Sequence, residues 1–368
     1  MDKIEIDKIR KAVNQTIKKI EKLDSGMIAK AQAKLDNLTK PQGSLGSLEE
    51  LAKQIVGITG NLSPRFSKKL IIVMAADHGV VDEGVSAYPR EVTPQMVYNF
   101  LNGGAGINVL ASHVGADVVV VDIGVAAEFE GLKEQKGRIY SLINKKIDFG
   151  TKNMAIGPAM TGDQAYASVE AGIEVAERMI KNGYDIIGTG DMGIGNTTAS
   201  SAIAACICGV DAGLVTGYGT GIDESGFKNK VAVIRRALET NKPDRSDGFD
   251  VLAKVGGFEI GGIAGVILGC AANKIPVMID GFISGAGALI AEAIAPESRN
   301  YMIASHCSVE KGHKIMLEKL KLKPLFNFDM RLGEGTGAAI GISIAEASIK
   351  ILNEMATFGE AGVSQKIE

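Results

Sequence analysis

Apolar positions recur every three to five residues at the start of the chain, at Ile4, Ile9, Val13, Ile17 and Ile20. That spacing lays a narrow stripe along one side of a helix over about Ile4–Leu23. A second helix is predicted over roughly Met27–Leu38. Lys40-Pro41-Gln42-Gly43-Ser44 then breaks the pattern, and Ser47-Leu48-Glu49-Glu50 restarts it. From Leu70 the rhythm changes to short, continuous, β-prone runs: Leu70–Ala75, Asp117–Ile123, Tyr184–Gly188, Ile275–Ile279 and Tyr301–Ala304. Helix-length patterns such as Ala165–Lys181 and Asn229–Thr240 lie between most of them. Apolar strands alternating with helices predict an α/β fold, a doubly wound, mainly parallel sheet in a Rossmann-like three-layer arrangement. The last helix, roughly Gly337–Met355, is rich in Ala and Ile and is expected to pack with the N-terminal helices. Residues 1–60 and 338–368 would then form a small helical domain built from both chain termini, and residues 61–337 the large α/β domain. No repeat, low-complexity tract or interdomain linker interrupts the pattern.

The 368 residues are 46% hydrophobic and 23% charged, an ordinary globular balance. A formal charge of −3 argues against a nucleic-acid surface, which needs a clustered basic excess. Small anions remain within reach, because a few lysines and backbone amides hold a phosphate. The charged opening Met1-Asp2-Lys3-Ile4-Glu5 has no signal-peptide pattern, and no apolar run is long enough for a membrane span, so a soluble, cytoplasmic protein is expected. Cys206, Cys208, Cys270 and Cys307 lack metal-ligand spacing and read as small buried hydrophobes in a reducing compartment. The unusual feature is 46 glycines with no tryptophan. Glycine clustered after apolar runs points to loops where backbone approaches a ligand closely.

Four groups carry the candidate chemistry. Asp77 and His78 follow the first strand, where they could orient a substrate or simply cap a turn. Tyr88 and Met96, downstream, could wall a pocket for a flat ring or belong to plain core packing. Gly188-Thr189-Gly190-Asp191-Met192-Gly193-Ile194-Gly195-Asn196-Thr197-Thr198 then opens a helix, and its amides and hydroxyls make a natural anion cradle. It is neither a P-loop nor a dinucleotide fingerprint. Gly221 follows in a further glycine turn. Lys230 could pair with a phosphate or be a solvated surface lysine. Asp280 and Ser305 sit at predicted strand ends, where ligands bind in such sheets. Finally, Arg331-Leu332-Gly333-Glu334-Gly335-Thr336-Gly337 sets one carboxylate between two glycines just before a helix. Packing explains that poorly; a general base explains it well, with a helix-capping acid as the competing reading. No G-x-S-x-G elbow supports a serine hydrolase.

Seven segments in order, Lys40–Gly46, Ala76–Thr93, Gly188–Thr198, Lys254–Ile260, Asp280–Ser284, Ser305–Gly312 and Arg331–Gly337, resemble the nicotinate-nucleotide–dimethylbenzimidazole phosphoribosyltransferase family. The resemblance runs from about residue 28 to 355. It implies ribose phosphate transfer from nicotinate mononucleotide to the lower-ligand base of a cobamide, with no metal or redox cofactor. By motif position it makes Glu334 the catalytic base. Gly193, Gly195, Asn196, Thr197, Thr198, Gly221, Lys230, Ser305, Gly333 and Gly335 are then nucleotide- and phosphate-binding candidates. Asp77, Tyr88, Met96, Asp191 and Met192 are base-pocket candidates. Asp191 departs from the pattern, which has a glutamate there, and its shorter reach puts a direct role in doubt. Bulky residues at Tyr88, Met96 and Met192 resemble variants that accept phenol or p-cresol as well as benzimidazoles and purines. The family implies a homodimer, or in such variants a heterodimer with a paralogue. A non-catalytic nucleotide-binding subunit is the main alternative, disfavoured by the intact Glu334. A small-molecule kinase is disfavoured by the missing phosphate loop.

Overall fold

The computed structural model describes residues 3–129 and 140–364. Its centre is a six-stranded sheet: β1 (Lys69–Ala76), β2 (Ala116–Gly124), β3 (Tyr140–Asn144), β4 (Ile186–Met192), β5 (Val277–Ile279) and β6 (Met302–Ala304). The order is β3-β2-β1-β4-β5-β6, and every neighbouring pair is parallel.

The continuous apolar run of β1 is explained by burial on both sides. Leu70, Ile72 and Met74 enter one core with the helices Gly162–Lys181 and Phe258–Ala272. Ile71, Val73 and Ala75 enter the opposite core with Val97, Ile107, Ala338 and Ile342. Side chains alternate between faces along a strand, so both faces of this strand need apolar residues and a helical layer. The expected doubly wound, three-layer fold is therefore present. From β1 the chain winds one way to β2 and β3, and later the other way through β4, β5 and β6. The direction reverses between β1 and β4, and the crevice outside their carboxyl ends is where such folds bind ligands.

Two strand readings change. β3 is absent from the sequence reading, being a five-residue edge strand preceded by a polar stretch. β4 starts two residues later than expected and continues through Thr189-Gly190-Asp191-Met192, which the glycines make look like a loop. In the folded chain those glycines serve close packing. A Cβ on Gly188 would lie 3.0 Å from that of Ala338, and one on Gly190 would press on the backbone of Glu334.

The terminal helices divide in their packing. Ser25–Asp36 and Ser47–Thr59 share a small core, including Leu35, Val56 and Leu352, with the end of the helix Thr336–Glu354. The same helix covers the sheet at its start through Ala338 and Ile342. Lys3–Lys18 lies against Gly162–Lys181 and sends Val13 into the large core. Among the described residues, no helix is long and apolar enough to cross a membrane.

Candidate active site

The carboxyl ends of β4, β5 and β6 and the segment Tyr88–Met96 that follows β1 converge on a cavity of ≈ 500 Å³. Glu334 occupies its floor. The loop that carries it holds three consecutive left-handed residues, Gly333 (φ 80°), Glu334 (φ 63°) and Gly335 (φ 93°). That conformation costs a side-chain-bearing residue about 1–2 kcal/mol, so neighbouring bonds must hold it. Asp280, at the end of β5, accepts from Gly335 N–H at 3.2 Å and Ala338 N–H at 3.0 Å. It thereby caps the helix Thr336–Glu354 and ties the loop to the sheet. Glu334 Oε2 accepts from Ile107 N–H at 3.0 Å, at the N-terminus of the helix Gly106–Val114.

Burial raises the Glu334 carboxyl above its ordinary value, while the Ile107 and Gly106 amides pull it down. A carboxylate of raised basicity is better matched to taking a proton near neutral pH. Asp191 also lines the cavity. It is raised well above the usual carboxylate range, by burial first and then by the negative charges of Asp280, Glu259 and Glu334. Asn196 Nδ2 donates to its Oδ2 at 3.0 Å, and Oδ1 is buried with no partner among the described residues. Burial pushes Asp280 up to about 7.

The helix Asn196–Cys208 begins at Gly195, whose φ of 95° turns the chain off β4. Thr197 lines the cavity and accepts from Lys230 Nζ at 2.8 Å. Lys230 is only 1% exposed, which excludes the solvated-lysine reading. It lies within the helix Glu224–Asn241, and burial depresses its ammonium to about 8, with Glu310 opposing. Gly219 leaves the space for this pair, since a Cβ there would sit 3.0 Å from Lys230 Nζ.

Of the expected residues, the fold gathers Tyr88, Met96, Asp191, Met192, Gly193, Asn196, Thr197, Gly333 and Glu334 around one cavity. Lys230 reaches that wall through Thr197. Asp77 lies outside the lining; it is buried and accepts from Ala126 N–H at 2.8 Å. Its neighbour His78 pairs with Glu259 at 2.7 Å. Thr198 is fully buried, and Gly221 forms a turn (φ 97°) beyond the lining residues Gly219 and Thr220. Ser305 and Gly335 sit behind the wall, the former donating to the Asp280 carbonyl at 3.0 Å. Residues not singled out from the sequence also line the cavity, among them Thr220, Phe282, His306, Ser308, Glu310 and Arg331. A usable signal for Glu310 is Gly217, whose missing Cβ leaves room for the Glu310 carboxylate. The cysteines are all free, and burial pushes the thiols of Cys206 and Cys208 up to about 11, away from reactive thiolates.

A phosphoribosyltransferase family model matches residues 20–363. A Roseiflexus sp. (strain RS-1) protein named nicotinate-nucleotide–dimethylbenzimidazole phosphoribosyltransferase is 59% identical over 356 residues, 97% of this chain and 99% of the relative. One of the same name from Geobacter metallireducens is 55% identical over 353 residues, 96% of this chain and 98% of the relative. The crystal structure of the Thermus thermophilus protein of that name superposes with a TM-score of 0.87 at 43% identity, covering 94% of this chain and 100% of that one. By sequence and by fold, the chain belongs to the nicotinate-nucleotide–dimethylbenzimidazole phosphoribosyltransferase family.

Proposed function

We propose that this chain transfers ribose 5-phosphate from nicotinate mononucleotide to 5,6-dimethylbenzimidazole or a related lower-ligand base, releasing nicotinate for cobamide synthesis. The observation that carries the mechanism is Glu334, a buried carboxylate fixed by two glycines and a helix terminus inside the switch-point cavity. The ring nitrogen of the base attacks C1′ while the C1′–nitrogen bond to nicotinate breaks on the opposite face, so a β-linkage becomes an α-linkage. Nicotinate leaves with the bonding pair, and its ring nitrogen, cationic in the substrate, becomes neutral without a general acid. The attacking base sheds a proton, and Glu334 accepts it. The rest of the rate comes from holding nucleophile and C1′ in line.

The nucleotide phosphate fits the cavity wall formed by Asn196, Thr197 and Gly219. Asn196 and Thr197 open a helix there, and Lys230 supplies a buried cation behind Thr197. Because Thr197 Oγ1 already accepts from Lys230, its own O–H is free to donate to a phosphate oxygen. Tyr88, Met96 and Met192 supply the apolar surface for the incoming ring.

The test incubates the protein with nicotinate mononucleotide and, separately, 5,6-dimethylbenzimidazole, adenine and phenol, following nicotinate release and the new ribotide by chromatography. Base-dependent nicotinate release with a matching ribotide supports the reading, and the ranking of bases defines the ring pocket. Absence of product with every base, even with a paralogous chain added, overturns it.

A further inference from the structure

His306 is a cavity-lining residue that the mechanism above leaves unused. Its side chain is almost wholly enclosed, with the residue 3% exposed and the ring stacked on Phe326 at a centroid distance of 5.7 Å. Gly337 lets it sit there, because a Cβ on Gly337 would overlap Nδ1 and Cε1 of the ring. The ring is therefore held edge-on, with Nδ1 towards the helix Thr336–Glu354 and Nε2 on the far edge, towards the cavity-lining Gly281.

The bonds around Ser305 decide which nitrogen carries the proton. Ser305 has one hydroxyl hydrogen, and it is given to the Asp280 carbonyl at 3.0 Å. The same oxygen lies 3.1 Å from His306 Nδ1. With its hydrogen committed, Ser305 Oγ can only accept there, so Nδ1 carries the ring proton. Nε2 is left as a bare lone pair, and among the described residues no group bonds to it. Burial lowers the His306 imidazolium to about 4, which keeps the ring neutral across the working range.

A neutral acceptor in this position repels the carboxylate and phosphate of the nucleotide and selects a donor. The O–H donors that nicotinate mononucleotide offers are the two ribose hydroxyls. We infer that His306 Nε2 accepts a hydrogen bond from one ribose hydroxyl of the nucleotide, fixing the sugar's rotation and selecting ribose over deoxyribose. This inference rests on the proposed function for the identity of the nucleotide.

The experiment measures Kd by calorimetry for nicotinate mononucleotide and for its 2′-deoxy and 3′-deoxy analogues, so the intrinsic reactivity of a deoxy sugar does not enter. Wild-type protein is expected to bind one of the two analogues about tenfold more weakly, the effect of one hydrogen bond removed. Which analogue weakens identifies the hydroxyl. His306→Asn keeps a donor beside Ser305 but has no acceptor at the Nε2 position. It should bind the ribonucleotide about tenfold more weakly and the sensitive analogue as wild type does. His306→Gln, which can return a carbonyl oxygen near the Nε2 position, should recover part of the discrimination. Melting curves establish that both variants are folded. Equal binding of all three ligands by wild type overturns the inference. So does a uniform loss across ligands in His306→Asn, which marks a structural role, or undiminished discrimination, which assigns the hydroxyl to another acceptor such as Glu310. A wild-type protein that discriminates in binding yet releases no nicotinate with any base would leave this contact standing and count against the transfer reaction instead.

Discussion

Adding one methyl group in the middle of β4, as Gly190→Ala, tests how the active carboxylate is positioned. An ideal Cβ at Gly190 lies 2.6 Å from the Glu334 carbonyl carbon and 2.8 Å from the Gly335 nitrogen, with the Glu334 oxygen closer still. Carbon atoms in contact rest about 3.5–4.0 Å apart, so strand and loop must separate by about 1 Å. The strand is poorly placed to yield. Gly190 pairs with Val73 of β1 inside the sheet, and β5 flanks β4 on its other edge. The loop therefore moves, and with it the bonds from Gly335 to Asp280 and from Ile107 to Glu334. Overpacking of this kind costs about 1–3 kcal/mol of stability. Displacing a reacting group by about 1 Å costs about 100-fold in turnover. Gly188→Ala is the matched control. It lies on the same face of the same strand, but its Cβ meets the side chains of Ile71, Ala338 and Ile342, not the loop backbone. Melting temperature and steady-state nicotinate release at saturating substrates would be measured for both variants. Both should lose comparable stability, and kcat should fall about 100-fold in Gly190→Ala alone. Turnover within about twofold of wild type in Gly190→Ala would show that the strand glycine does not set the carboxylate's position.

Three further outcomes are expected. Glu334→Gln keeps an acceptor for Ile107 N–H but cannot take a proton, so kcat should drop at least about 100-fold with nucleotide Kd nearly unchanged; near-normal turnover would remove Glu334 from the chemistry. Lys230, depressed to about 8 by burial, is largely neutral at about pH 8.5 in the free protein. A phosphate beside it raises its pKa, so nucleotide binding at that pH should take up most of one proton, measured by calorimetry in buffers of different ionisation heat. Lys230→Met should lose that share of the uptake, and an uptake unchanged by the substitution would place the phosphate elsewhere. Asp191 has its carboxyl raised above the unfolded value near 4. The folded state then holds more protons than the unfolded state, so this group's contribution is complete below about pH 4 and is lost as pH rises through the folded pKa. Asp191→Asn should therefore gain stability over wild type as pH rises above about 4, read as a widening difference in melting temperature; a constant difference would mean Asp191 is ionised in the fold throughout.

Much of this architecture is legible in the sequence because two-sided burial leaves a plain trace. The run at β1 is continuously apolar, β2 carries four consecutive valines between Asp117 and Asp122, and helix-length patterns separate most strands. What misleads is glycine. In Gly188-Thr189-Gly190 it reads locally as a turn, yet its task is to let a distant segment, residues 334–338, lie against a strand. Local pattern carries no information about a neighbour more than a hundred residues away. The same limit explains the site. Glu334 stands out because a carboxylate between glycines has few packing explanations. His306 and Glu310 do not, since their roles depend on Gly337 and Gly217 having no Cβ. Lys230 is ambiguous for a related reason, as its burial comes from the tertiary packing around its helix, not from its neighbours in sequence. Asp77, beside His78 at the end of β1, turns inward to the Ala126 amide.

The crowding of Asp191, Asp280 and Glu334 has a consequence for how the enzyme meets its substrate. Three raised acids this close cannot all be ionised cheaply, so together they behave as a charge buffer. A nucleotide arriving with a phosphate and a carboxylate adds negative charge, and the cluster can answer by drawing in protons from solvent instead of moving atoms. Electrostatic accommodation of an anion then needs no conformational rearrangement. A pH–rate profile would accordingly report apparent constants that belong to the set of acids and not to Glu334 alone.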